Sequence, residues 1–161
     1  MKTLLLARHA KSSWEQTGVS DHDRPLNHRG RRDAPDMGRR LAERGIVPDV
    51  IIASTALRAH TTAKLFAEAL GYDADRIVTD ERLYGASVDE VLGVIRDLGD
   101  EVSCAIVIGH NPETESLAHR FAHEIRDMPT CAVAEFTFDV DSWRALGDVE
   151  PASVRVETPR S

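Results

Sequence analysis

Apolar and polar positions divide the chain into short segments with changing periods. Residues 3–8 hold a compact apolar run without polar alternation, the pattern of a strand covered on both faces. Similar runs at 47–53 and 103–108 predict two more buried strands. Between these runs the period becomes helical. Asn27 is placed to cap a helix over 28–45 that Gly45 ends, while Pro35 and Gly38 inside it predict a kink or a split. A second helix is predicted over 56–70, with Gly71 as its stop. Ser87 and Glu90 have capping-box spacing and open a helix that runs to residue 98. Another helix follows Asn111-Pro112 and runs to about His123.

Lesser segments complete the pattern. Residues 76–79 read as a short strand, 132–140 alternate like a late antiparallel or edge strand, and 154–156 pair beside them. Residues 9–25 are polar and form a long loop, and the tail from Thr158 is expected to be loose. Strand–helix alternation predicts an α/β fold: a three-layer α/β/α arrangement with a mostly parallel central sheet, in one domain over residues 1–161. Active sites of such sheets gather outside the carboxyl ends of the strands.

Composition narrows the function. The 161 residues are 42% hydrophobic and 29% charged, an ordinary globular balance that excludes a disordered or fibrous chain. The net charge of −7 argues against a nucleic-acid partner, although a basic pocket can sit in an acidic protein. Cys104 and Cys131 show no metal or disulfide spacing, so a reducing cytoplasm is expected. The apolar opening is too short for a signal peptide and is broken by Arg8-His9. No segment reaches the ~20 apolar residues of a membrane span, so no membrane association is expected.

The residues that end the three strong strands carry the chemistry. The first ends in Arg8-His9-Ala10, the second runs into Ser54 with Arg58 four residues on, and the third ends in Gly109-His110-Asn111-Pro112. Two arginines and two histidines at one sheet edge have the composition of a phosphate pocket. Arg8 and Arg58 can grip phosphate oxygens bidentately. A neutral His9 can attack phosphorus if an acceptor, such as a backbone carbonyl, holds its other ring nitrogen. A protonated His110 can donate to an equatorial oxygen, so neither metal nor cofactor is required.

These motifs together resemble the histidine phosphatase superfamily, also called phosphoglycerate mutase-like. The resemblance rests on Arg8-His9-Ala10, on the S-x-x-x-R-A-x-x-T pattern from Ser54 to Thr62, and on Gly109-His110-Asn111. The stretch Asp23-Arg24-Pro25-Leu26-Asn27-His28-Arg29-Gly30 is similar to a segment of the short, SixA-like branch. The resemblance implies that His9 is the phosphorylated residue and that Arg8, Arg58 and His110 complete the pocket. It also implies phosphohistidine on a protein as substrate, or a small phosphate ester as in other members of the superfamily.

The proton donor is the open point. Asp80-Glu81-Arg82-Leu83-Tyr84-Gly85 resembles the mutase segment whose glutamate donates the proton, but it reads equally as a solvated acidic turn. The SixA pattern lacks an acid there. Expelling imidazole, whose conjugate acid has a pKa of ~6.5, needs an acid far less than expelling an alkoxide. Glu15 stands where mutases place an asparagine on a second phosphate, which argues against mutase chemistry. Ser12, Arg24 and Asn111 are further candidate substrate contacts.

Other features carry less. Seven arginines between Arg24 and Arg44 suit a solvated helix face, with Arg24 as the exception. His119 and His123 are spaced i, i+4 but lack the glutamate of the zinc-protease motif, and read as ordinary helix surface or packing. Trp14 is expected in the pocket wall and Trp143 in packing near the C-terminus. A monomer is expected. The rival functions are a non-catalytic phospho-ligand module and a metal-dependent enzyme.

Overall fold

The computed structural model describes residues 1–161. Its sheet has six strands: β1 (Lys2–Arg8), β2 (Val50–Ala53), β3 (Val78–Thr79), β4 (Cys104–Gly109), β5 (Val133–Phe138) and β6 (Ser153–Glu157). Their order is β3-β2-β4-β1-β5-β6, parallel from β3 to β1 and antiparallel for β5 and β6. Four helices connect them: α1 (His28–Glu43), α2 (Leu57–Leu70), α3 (Val88–Arg96) and α4 (Glu113–Phe121).

The unbroken apolar strands are buried on both faces because each feeds two cores. Leu4, Leu6, Ala105 and Val107 pack with α3, α4 and the fully buried Trp143. Leu5, Ala7, Ile106 and Ile108 pack with α1 and α2 on the other face. A period of two thus divides one apolar run between two layers of helix, which is the three-layer arrangement expected. No helix is long and apolar enough to cross a membrane.

Several boundaries differ from expectation. α1 runs unbroken through Pro35 and Gly38. Gly38 instead permits close contact between helices, since a Cβ there would lie 2.8 Å from the Ala69 Cβ. β2 begins at Val50 rather than 47, and just before it the Asp49 carboxylate accepts from the Ser103 and Cys104 amides at the start of β4. α4 stops at Phe121, so His123 lies beyond it.

The tail expected to be loose from Thr158 is held. Arg40 donates to the carbonyls of Thr158 and Pro159 at 3.0 and 3.1 Å. Arg160 reaches the buried carboxylate of Asp33 at 3.1 Å. The arginine-rich stretch is therefore partly structural: Arg44 also binds Glu135 on β5 at 2.6 Å.

Candidate active site

The carboxyl ends of β1, β4 and β2 lie side by side, with Arg8 in register with Gly109 and Ala53 with Ile108. That register brings together the residues following each strand. His9, Arg8, Arg58 and His110 line one open cleft of about 640 Å³, with Ser12, Arg24 and Asn111 also on its walls. The His9 and His110 rings lie 5.1 Å apart.

His9 is almost fully buried and is fixed at both ring and backbone. Its Nδ1–H donates to the Ala10 carbonyl at 2.7 Å, since a carbonyl can only accept. The lone pair of the neutral ring is thereby confined to Nε2. Burial, followed by the nearby His110, Arg58 and Arg8 charges, pushes the His9 pKa down to about 3, against an opposing pull from the Ala10 carbonyl. The ring is therefore neutral near pH 7, the state that a nitrogen nucleophile requires.

The backbone around His9 is clamped by residues whose motif positions now have roles. Thr62 accepts from the Ala10 amide at 3.0 Å and donates to the Arg58 carbonyl at 2.7 Å. The Cys131 amide donates to the carbonyls of Arg8 and His9 at 3.2 and 3.0 Å. Cys131 makes this clamp with a positive φ of 64°, a region that only glycine occupies without cost. Burial pushes its thiol up to about 12, so it is an inert wedge rather than a reactive thiol.

His110 contacts Ser54 Oγ through Nε2 at 2.8 Å. Burial and then the Arg58 charge bring its pKa down to about 4, so without an anion beside it the ring is neutral rather than protonated. Arg8 donates from Nη1 to the Met128 carbonyl at 3.1 Å. Arg58 donates from Nη1 to the Asp21 carbonyl at 2.7 Å and from Nη2 to the Asp21 carboxylate at 3.1 Å. The Nε–H groups of both arginines are buried and lack an acceptor within the protein.

Asp21, Tyr84 and Glu113 line the cleft without having been singled out in the sequence. The Tyr84 hydroxyl, Arg58 and Arg24 all donate to Asp21 and hold its carboxyl far below the usual range. In the sequence Tyr84 carries a signal only as part of the Glu81 segment. The Asp21 signal was weaker still, an acid three residues before Arg24 in a long loop.

The remaining candidates separate. Ser12 accepts from Arg24 Nη1 at 2.7 Å, and Arg24 also stacks 3.4 Å over the exposed Trp14 ring, so these three form one wall. Asn111 lines the cleft, yet both ends of its amide are engaged: Nδ2 donates to Met128 O and Oδ1 accepts from Glu115 N. It is better described as a brace than as a free substrate contact. Glu81 is exposed at the start of a 3-10 turn and does not line the cleft, so the expected acid lies outside it. The His119 and His123 rings approach to 5.3 Å, but no third histidine, cysteine or carboxylate completes a metal site.

Comparison with known proteins agrees with this geometry. The family model of the histidine phosphatase superfamily (branch 1) matches residues 4–100. An uncharacterized protein of Mycobacterium tuberculosis is 41% identical over 111 residues, which cover 69% of this chain and 66% of the relative. The match thus spans just under two thirds of that protein. A candidate phosphohistidine phosphatase SixA from Agrobacterium tumefaciens superposes with a TM-score of 0.77 at 30% identity, covering 84% of this chain and 90% of that one. Another, from Nakamurella multipartitia, gives 0.81 at 28% identity over 99% and 97% of the two chains. With its strand-end residues gathered in one cleft, its matching family model and these neighbours, the chain belongs to branch 1 of the histidine phosphatase superfamily, in the SixA-like group.

Proposed function

We propose that the protein is a phosphatase that works through a phosphohistidine on His9, with phosphohistidine on a protein as its main substrate. The observation that carries this reading is the 2.7 Å bond from His9 Nδ1 to the Ala10 carbonyl, which leaves Nε2 unprotonated in a cleft shared with two arginines and a second histidine. The unmatched Nε–H donors of Arg8 and Arg58 support an anionic ligand between them. Similarity to the two SixA neighbours supports the substrate class.

In the first step Nε2 attacks phosphorus in line and the bond to the leaving nitrogen breaks. Arg8 and Arg58 spread the charge that develops on the equatorial oxygens. The phosphate dianion raises the proton affinity of His110, which then donates to one of those oxygens. Water attacks the phosphoryl group in the second step and returns His9 to its neutral form. No metal is needed, because fixed cationic side chains provide the field.

The test is His9→Ala assayed against a phosphohistidine peptide with and without EDTA. Turnover is expected to fall by at least about 1,000-fold, comparable to the loss of an activated nucleophile, and EDTA is expected to leave the wild type unaffected. Brief exposure to substrate followed by alkaline quench should leave acid-labile phosphate on His9. Full activity in His9→Ala refutes the mechanism. Binding of phosphate analogues without labelling or turnover identifies a non-catalytic module instead.

A further inference from the structure

The reaction above leaves one buried acid of the cleft unused. Glu113 opens α4, three residues beyond His110, and is only 6% exposed. It lines the same cleft as His9 and Arg58, and its carboxyl lies against the backbone amides of Glu113 itself and Ala86. Burial raises its proton affinity above that of an ordinary carboxylate, more than those two amides lower it.

The other acids nearby are committed. Asp21 shares the cleft, but Tyr84, Arg58 and Arg24 all donate to it and keep it ionised. Glu115 accepts from the Met128 amide at 2.9 Å. Glu81 is exposed outside the cleft. An acid in the first turn of a helix has a simpler role, since it complements the positive end of the helix dipole. That role favours an ionised group, whereas burial in the wall of the cleft acts against ionisation of Glu113.

We propose that Glu113 is a catalytic residue, the proton donor to the leaving group, and that it extends the substrate class from protein phosphohistidine to alkyl phosphate monoesters. This rests on the assignment of His9 as nucleophile. When His9 Nε2 bonds to phosphorus, the phosphorus–oxygen bond to the leaving group breaks, and that oxygen takes the carboxyl proton of Glu113. The carboxylate then accepts a proton from the attacking water as the nitrogen–phosphorus bond breaks, releasing inorganic phosphate and restoring both groups. A leaving alkoxide depends on this proton, whereas a leaving imidazole or nitrophenolate does so far less.

The experiment compares wild type, Glu113→Gln, Glu113→Asp and Glu81→Gln on three substrates: a phosphohistidine peptide, a phosphoserine peptide of matching sequence, and p-nitrophenyl phosphate. Wild type is expected to turn over all three. Glu113→Gln is expected to lose about 100-fold or more in kcat on phosphoserine while staying within about threefold on the other two. Glu113→Asp, which retains an acid, should keep more phosphoserine turnover than Glu113→Gln, and Glu81→Gln should match wild type throughout.

Equal losses on all three substrates would assign Glu113 to packing and overturn the proposal. So would unchanged phosphoserine turnover in Glu113→Gln, selective loss in Glu81→Gln, or wild-type activity confined to phosphohistidine; each leaves His9 as nucleophile. A wild type that neither labels on His9 nor turns over any substrate overturns the underlying phosphatase reading as well.

Discussion

In the anion-free protein burial outweighs everything else acting on His9 and His110 and keeps both rings neutral. This state has a measurable cost. The unfolded chain protonates both rings near pH 6.5, whereas the folded protein resists protonation until about pH 3 and about pH 4. Between those limits the unfolded state binds more protons, so stability rises with pH. The contribution is fully present above 6.5 and declines as pH falls toward 4. Asp21 acts in a different window, because its lowered pKa contributes stability above the ordinary carboxylate range and loses it only at more acidic pH. The guanidinium midpoint of the anion-free protein is therefore expected to fall between pH 7 and pH 5, and to fall less in His9→Gln. A wild-type midpoint that is flat over this interval contradicts two buried neutral rings.

The elements make this site by pressing loops against helix ends. Gly30, in the first turn of α1, lies against the Lys11 backbone so closely that an added Cβ would collide with the Lys11 carbonyl oxygen. Lys11 in turn accepts from the Asn27 amide at 3.0 Å, and the Asn27 side chain caps Gly30 at 2.9 Å. The start of α1 thus fixes the chain just beyond His9. On propensity alone Gly30→Ala would stabilise a helix by about 1 kcal/mol. Here it is expected to destabilise the protein by about 1–3 kcal/mol through overpacking and to lower kcat/KM by shifting the His9–Ser12 loop. Denaturant titration with parallel assays checks this, and a stabilised, fully active variant would contradict it. The Asn27 cap and the Ser87–Glu90 capping box were legible in the sequence because they are local patterns. Arg8, His9, Arg58 and His110 were legible because strand ends in a parallel sheet have a common destination. Glu113 and Asp21 were not, since their places in the cleft come from burial and from partners far along the chain. For Glu81 the sequence left two readings, an acid position and a solvated turn, and the turn that bears it leaves the side chain in solvent outside the cleft.

At the scale of the molecule, the order of the sheet explains why so few residues suffice. β1 sits between β4 and β5, and β4 between β1 and β2, so three parallel carboxyl ends deliver Arg8-His9, His110 and Ser54 as neighbours. The antiparallel pair β5 and β6 then carries the chain back along the far side of β1 and brings its last residues to α1. This closure was hidden in the sequence, where a polar tail without periodicity reads as loose. Asp33 shows that the tail has structural work: it is 4% exposed and is faced by Arg29 at 3.6 Å and Arg160 at 3.1 Å. Removing residues 158–161 takes away the shorter of those pairings and the carbonyl acceptors that Thr158 and Pro159 offer Arg40. Arg160 is half exposed and its ion pair is screened, so the pairing alone contributes little. With the Arg40 bonds included, truncation after Glu157 is expected to cost on the order of 1–2 kcal/mol, read as a lower urea midpoint at unchanged m-value. A midpoint equal to that of the full chain would show that the tail is not held in solution and that Asp33 is satisfied by Arg29 alone.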